Sequence, residues 1–259
     1  MKLNKRTNGG KNLTYTINPI VLHRVVSEIP EHFEDITKNT FQSILTIPGV
    51  TFTSIDSAMS HEYDTNVICL TFDDGFSSDW EIVFPRLLEK GLQATFFIVV
   101  DWIGKPGFMS ASQIRELSKN GMQIGSHSLS HPNFLSIDRV AQEKELRLSR
   151  LKLEDLLGSA ITSFAFPYGS ADQNIIDSAF DSGYTYCCTS SHGLFCKSTT
   201  VLPRNSINSS MAINEVRRVL EADWATRLKW KIEDIGKPML KKYMPNLYRR
   251  FKSQIMNKE

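Results

Sequence analysis

The chain has 259 residues, 41% of them hydrophobic and 22% charged, with a net charge of +2 at pH 7. That balance excludes a disordered chain or a cysteine-stapled miniprotein, and the length allows one large α/β domain or two small ones. The small net charge hides a division: residues 225–259 hold ten Lys/Arg against three Asp/Glu, and the rest of the chain holds twenty against twenty-five. A mildly acidic body followed by a basic tail suggests an anionic surface partner; nucleic acid is not among the expected partners.

The first residues, MKLNKRTNGGKNLTYTINP, are positively charged but contain no apolar stretch of the secretory kind. No run approaches the roughly 18 apolar residues that span a bilayer. Cys69, Cys187, Cys188 and Cys196 form no CxxC pair, which fits a reducing compartment. The resulting expectation is a cytoplasmic protein, with residues 1–17 as an N-terminal extension.

Strand candidates follow at 19–24, 67–72, 94–100, 123–126, 162–166, 184–189 and 200–203. They are continuously apolar more than alternating, as strands covered on both faces are. Ser78 and Ser110 each stand three residues before Glu81 and Gln113, the spacing of a capping box, and the segments they open stop at Gly91 and Gly121. Pro85 fits only the opening turn of its helix. Further helices are expected at 136–157, 171–182 and 211–223. This alternation predicts a parallel sheet, open or closed into a barrel, over 18–225, with chemistry at the C-terminal ends of the strands.

Three strand ends carry reactive residues. TFDDG (71–75) places Asp73 and Asp74 after the 67–72 strand, with Gly75 allowing a sharp turn. HSLSH (127–131) brings His127 and His131 to one side of a helical turn or tight loop. Two histidines and a carboxylate make a candidate divalent-metal site with an open position, leaving the second aspartate to take a proton from water. FAFPYG (164–169) offers backbone N–H groups to an oxyanion, with Tyr168 beside them. An exposed acidic turn and an incidental polar loop are the plainer readings of the first two motifs taken singly.

In that order, TFDDG, HSLSH and FAFPYG resemble the polysaccharide deacetylase family (carbohydrate esterase family 4, the NodB-homology domain). The resemblance implies a single distorted (β/α)7-type barrel and a metal-dependent hydrolase that removes acetyl groups from sugars. It implies Asp73 as the base; Asp74, His127 and His131 as ligands to a divalent metal, usually zinc; and the Tyr168 N–H as the oxyanion donor. The chain departs from the family pattern in two places. Thr162 and Ala165 stand where many members have arginines, and VLPRNS, the last strand, lacks the Leu-x-x-His histidine that protonates the leaving amine. The first strand, Ile20-Val21-Leu22-His23, fits that missing motif, as in relatives resembling the exported poly-N-acetylglucosamine deacetylases. His23 is therefore expected as the acid, with His192 as competitor, and Arg204 is expected to hold Asp73 ionised.

The expected substrate is an N-acetylated amino sugar in a glycan, glycolipid or lipid- or nucleotide-linked precursor of a surface polysaccharide. An inactive sugar-binding module and a non-haem iron oxygenase are the alternatives. In the tail, 226–259, aromatic residues interleave with Lys and Arg, which suits a helix lying on the inner face of an anionic membrane; a helix packed on the barrel with a solvated basic face is the plainer reading.

Overall fold

A computed structural model describes residues 7–8, 11–12 and 15–243. Two small ladders stand apart from the main sheet: β1 (Thr7–Asn8) with β2 (Lys11–Asn12), antiparallel, and β4 (Val25–Val26) with β5 (Ile36–Thr37), parallel. The main sheet is parallel throughout and is built around β7 (Asn66–Phe72). On one side β7 pairs with β3 (Ile17–Leu22); on the other it pairs first with β6 (Val50–Thr53), then with β8 (Thr95–Ile98). The sheet continues through β9 (Gln123–Ser126), β10 (Ser163–Ala165), β11 (Tyr186–Cys188) and β12 (Val201–Leu202).

The far edge of β3 is paired by β13 (Asn205–Ser206). Only Pro203 and Arg204 separate β12 from β13, yet the two lie at opposite edges of the sheet. The segment VLPRNS is thus one closing strand, its first half laddered to β11 and its second half to β3. Proline offers no N–H to either ladder, so the hydrogen bonding changes sides at this point. Counting that segment once, seven strands make the distorted barrel expected from the sequence, with β6 as an added strand.

Side-chain alternation along β7 determines what enters the barrel. Ile68, Leu70 and Phe72 join the large core beneath the helices, while Val67 and Cys69 join an interior cluster with Ile17, Phe97, Ala165, Cys188 and Leu202. Each fully buried aliphatic or aromatic side chain of this kind stabilises the fold by about 1.5–3 kcal/mol. Continuing the same alternation carries Thr71 and Asp73 inward, and on the closing strand it carries Arg204 inward after Leu202.

Helices α1 (Lys38–Ile44), α2 (Ile55–Ser60), α3 (Phe84–Glu89), α4 (Ala111–Lys119), α5 (Arg139–Leu157), α6 (Gln173–Asp181), α7 (Ile213–Glu221) and α8 (Trp224–Tyr243) complete the structure. Ser110 forms its capping box and Pro85 lies in the first turn of α3, both as expected. The box at Ser78 does not form: Ser78 has helical backbone angles, its Oγ accepts from the Val25 N–H at 3.3 Å, and a π-turn at Asp79–Val83 precedes α3. The strand β6 and helices α1 and α2 were not foreseen. Of the tail expected to be helical over 226–259, residues up to Tyr243 continue α8, and 244–259 lie outside the described residues.

Candidate active site

Every candidate residue follows a strand at its C-terminal end: His23 after β3, Asp73 and Asp74 after β7, His127 and His131 after β9, Tyr168 after β10, Arg204 after β12. The first aspartate continues the inward face of its strand. The second is turned out of that alternation by left-handed backbone angles, with φ of 75° at Asp74 and 78° at Gly75. A side chain at Gly75 would also press on Ile98. Two neighbouring carboxyls therefore approach His127 from different directions, Asp73 Oδ2 at 3.8 Å and Asp74 Oδ1 at 3.5 Å from its Nε2.

Asp73 is buried and forms a two-pronged ion pair with Arg204, Nη1 to Oδ1 at 2.5 Å and Nη2 to Oδ2 at 2.7 Å. Arg204 also donates to Thr71 Oγ1 at 3.3 Å and lies over the Phe97 ring. Burial alone would raise the Asp73 carboxyl, but the Arg204 guanidinium outweighs it and holds the group well below the usual carboxylate range. The closing strand thus supplies the guanidinium that the sequence led us to expect beside Asp73. At Ala165 it is the carbonyl that contributes, accepting from His127 Nδ1 at 2.8 Å; Thr162 faces the other end of the barrel, donating to Asp56.

Asp74, His127 and His131 converge. Asp74 Oδ1 lies 3.5 Å from His127 Nε2 and 3.4 Å from His131 Nε2, and the three ligand atoms lie within 4.8 Å of one another. This Oδ1 is buried with no hydrogen-bond partner, as an oxygen meant for a cation would be. Burial pushes the His127 imidazole down to about 3 and also lowers His131, so both rings are neutral and their close carboxylates are not ion pairs. Burial, aided by the charge of Asp73, pushes the Asp74 carboxyl up to about 7 in the metal-free site. Neutral imidazoles, a carboxylate and a fixed tautomer at His127 fit a divalent cation.

The histidines sit on a tight loop, with φ of 71° at Ser128 and 65° at His131. Glu145 of α5 pins it, its Oε2 accepting from the Leu129 and Ser130 N–H groups and its Oε1 from Ser130 Oγ. Tyr168, with φ of 59°, packs edge-on to His131 and is 64% exposed at the rim. Trp102 also packs on His131, its ring centre 5.0 Å away, and continues onto Phe108 and Phe76. A side chain at Gly169 would overlap Ser190, so this turn requires glycine.

His23 is close enough for its charge to act on Asp73, Asp74 and His131. Its Nε2 lies 3.7 Å from Glu34, and its buried Nδ1 has no partner. His192 is engaged elsewhere: Nδ1 is 2.7 Å from Asp234 Oδ1 and the ring stacks on Trp230, both on α8. The sequence reading had not singled out Glu145, Trp102 or Asp79. Glu145 is an ordinary helical glutamate until the loop folds onto it, and Trp102 could have been noted as an aromatic just past a strand end. Asp79 is fully buried, and neither carboxyl oxygen has a partner. Burial, with the charges of Asp74 and Asp73, raises its carboxyl well above the ordinary range.

Residues 60–187 match the family model described as Polysaccharide deacetylase. The chain is 31% identical over 125 residues to the peptidoglycan-N-acetylglucosamine deacetylase of Bacillus cereus, covering 45% of this chain and 42% of that one. It is 30% identical over 122 residues to chitin deacetylase 1 of Cryptococcus neoformans, covering 47% and 25%. The matched region therefore spans less than half the length of these curated relatives. Among solved structures, the Streptococcus pyogenes deacetylase PplD in complex with acetate shares the fold, with a TM-score of 0.71, 20% identity, and coverage of 79% of this chain and 97% of that one.

Proposed function

This chain belongs to the polysaccharide deacetylase family, the NodB-homology group of carbohydrate esterase family 4, and on that premise we propose that it hydrolyses the N-acetyl group of an amino sugar. The observation that carries the reading is the pairing of a buried, Arg204-held carboxylate at Asp73 with the Asp74–His127–His131 cluster beside it. A base kept ionised next to a cation site suits hydrolysis; an oxygenase triad has no use for it.

Asp74, His127 and His131 would hold the divalent cation, with zinc favoured by the donor set; when bound it supplies Lewis-acid polarisation and makes water acidic near neutral pH. Asp73 accepts the proton of the attacking water, and Arg204 keeps its two oxygens oriented and charged. The Tyr168 N–H, at the strained turn after β10, donates to the oxyanion that forms on the acetyl carbonyl. His23, on the opposite side, gives its proton to the sugar nitrogen as the C–N bond breaks, and acetate and the free amine depart. Trp102 and Tyr168 border the cluster and give the sugar ring a flat apolar contact.

The substrate in this reading is an amino sugar in a glycan, a glycolipid or a lipid- or nucleotide-linked precursor of a surface polysaccharide. The setting is the inner face of a membrane, which the four free cysteines and the basic, partly apolar α8 support. The test is acetate release from N-acetylglucosamine oligomers and from lipid-linked acceptors, before and after chelation and zinc return. Asp73→Asn should keep the metal and lose turnover; near-full activity in that variant would refute the assignment.

A further inference from the structure

The helix α8 is amphipathic on two sides. Its inner face is docked: Thr226 and Trp230 are buried, and Asp234 meets His192. Directly opposite, Trp224, Leu228, Ile232 and Ile235 are 73%, 51%, 63% and 64% exposed. Spaced by four, four and three residues, they form one stripe, an arc of about 80° on an α-helix. Arg227 and Lys231 border the stripe on one side and Lys229 on the other, whereas Glu233 and Asp234 lie toward the docked face. The sequence that continues from 237 to 259 adds seven Lys/Arg and one Glu.

A stripe of four large apolar side chains along a helix is more than scattered surface hydrophobicity. Its cationic borders determine what suits it. A second copy of the same face would set Arg227 and Lys231 against like charges, although Lys229 on the other border is paired with Glu233 at 3.9 Å. An anionic bilayer would instead receive the apolar stripe at its acyl boundary and the cations at its headgroups. No described helix is long and apolar enough to cross a membrane, so the helix would lie along it. We propose that the outward face of α8 docks this protein on anionic lipid, through Trp224, Leu228, Ile232 and Ile235 with Arg227, Lys229 and Lys231. This rests on the peripheral setting inferred above and is independent of the deacetylation chemistry.

The experiment uses the full chain in cosedimentation with vesicles of phosphatidylcholine, with and without phosphatidylglycerol. Wild type should sediment with the anionic vesicles and be released by high salt. Leu228→Ser/Ile232→Ser/Ile235→Ser should lower partitioning by roughly tenfold or more, and Arg227→Glu/Lys231→Glu should abolish the preference for phosphatidylglycerol. Both variants should keep the wild-type melting temperature and the same acetate release from soluble oligomers. Absence of vesicle binding by wild type would overturn the proposal, and so would partitioning unchanged in the serine variant. A lower melting temperature or a lost dimer in that variant would also overturn it, because the stripe would then be covered by protein. Vesicle binding without any acetate release would leave this proposal standing and remove the deacetylase reading instead.

Discussion

The two ends of the barrel each bury a set of polar groups around an aspartate, and they treat those groups in opposite ways. At the N-terminal end, Asp56 accepts from Thr162 Oγ1, the Asp56 N–H donates to Gln123 Oε1, Gln123 Nε2 donates to Ser163, and Thr95 Oγ1 serves both Gln123 and the Ile55 N–H. Each partner is matched by another protein group. At the C-terminal end, His23 Nδ1, Asp74 Oδ1, both oxygens of Asp79 and Arg204 Nε are buried without partners. Left-handed backbone also collects there, at Asp74, Ser128, His131 and Tyr168. A closed network fastens strand ends, while an open and strained one is available for chemistry.

The comparison breaks most visibly at the open end. His127→Ala should remove zinc binding, read by metal analysis after gel filtration, and reduce acetate release by at least about 10²-fold. Arg204→Met comes next: it leaves Asp73 as a lone buried charge, at a stability loss of about 3–5 kcal/mol in denaturant melts. It should also move the acid limb of the rate profile upward by roughly 1–3 pH units, since the guanidinium no longer holds the carboxyl low.

The closed end should answer in stability alone. Thr162→Val removes the donor to Asp56, which should lower stability by about 1–3 kcal/mol and leave kcat/KM unchanged. Asp79→Asn sharpens the contrast through pH, by up to about 1.4 kcal/mol for each pH unit over which folded Asp79 keeps its proton. The raised carboxyl of folded Asp79 keeps its proton to a higher pH than the unfolded chain does. As pH climbs above about 4, the unfolded state releases that proton first, so Asp79 lowers wild-type stability increasingly toward neutrality. The variant should therefore gain on wild type between pH 4 and 7 in thermal melts. A gap that narrows with rising pH would contradict a buried, protonated Asp79.

What could be read from the residues alone divides along the same line. Asp73, Asp74, His127, His131 and Tyr168 were legible because each follows a short strand candidate within a few positions and belongs to a motif, TFDDG, HSLSH or FAFPYG, that stands out in the sequence. Arg204 was legible only as a partner lacking elsewhere; its inward direction follows from Leu202 two residues earlier, once the closing strand is known. His192 competed with His23 in sequence, where only the fit of Ile20-Val21-Leu22-His23 to the missing motif favoured the latter; the packing of α8 now engages His192 elsewhere. Residues 38–60, with α1, β6 and α2, mix polar and apolar positions at no clear period, so nothing local announced them. Ser78 lost its cap to the backbone N–H of Val25, a competitor 53 positions away.

The seam at Pro203 and Arg204 has a consequence for the order in which the site comes into being. During synthesis the histidines, both aspartates and the Tyr168 turn all leave the ribosome before residue 204 does. Until that arginine arrives and the last strand joins β11 to β3, Asp73 lacks the cation that holds it charged. On the proposed reading, a nascent chain would carry Asp74, His127 and His131 before Asp73 has its guanidinium partner, and completion of the barrel would be the event that arms it.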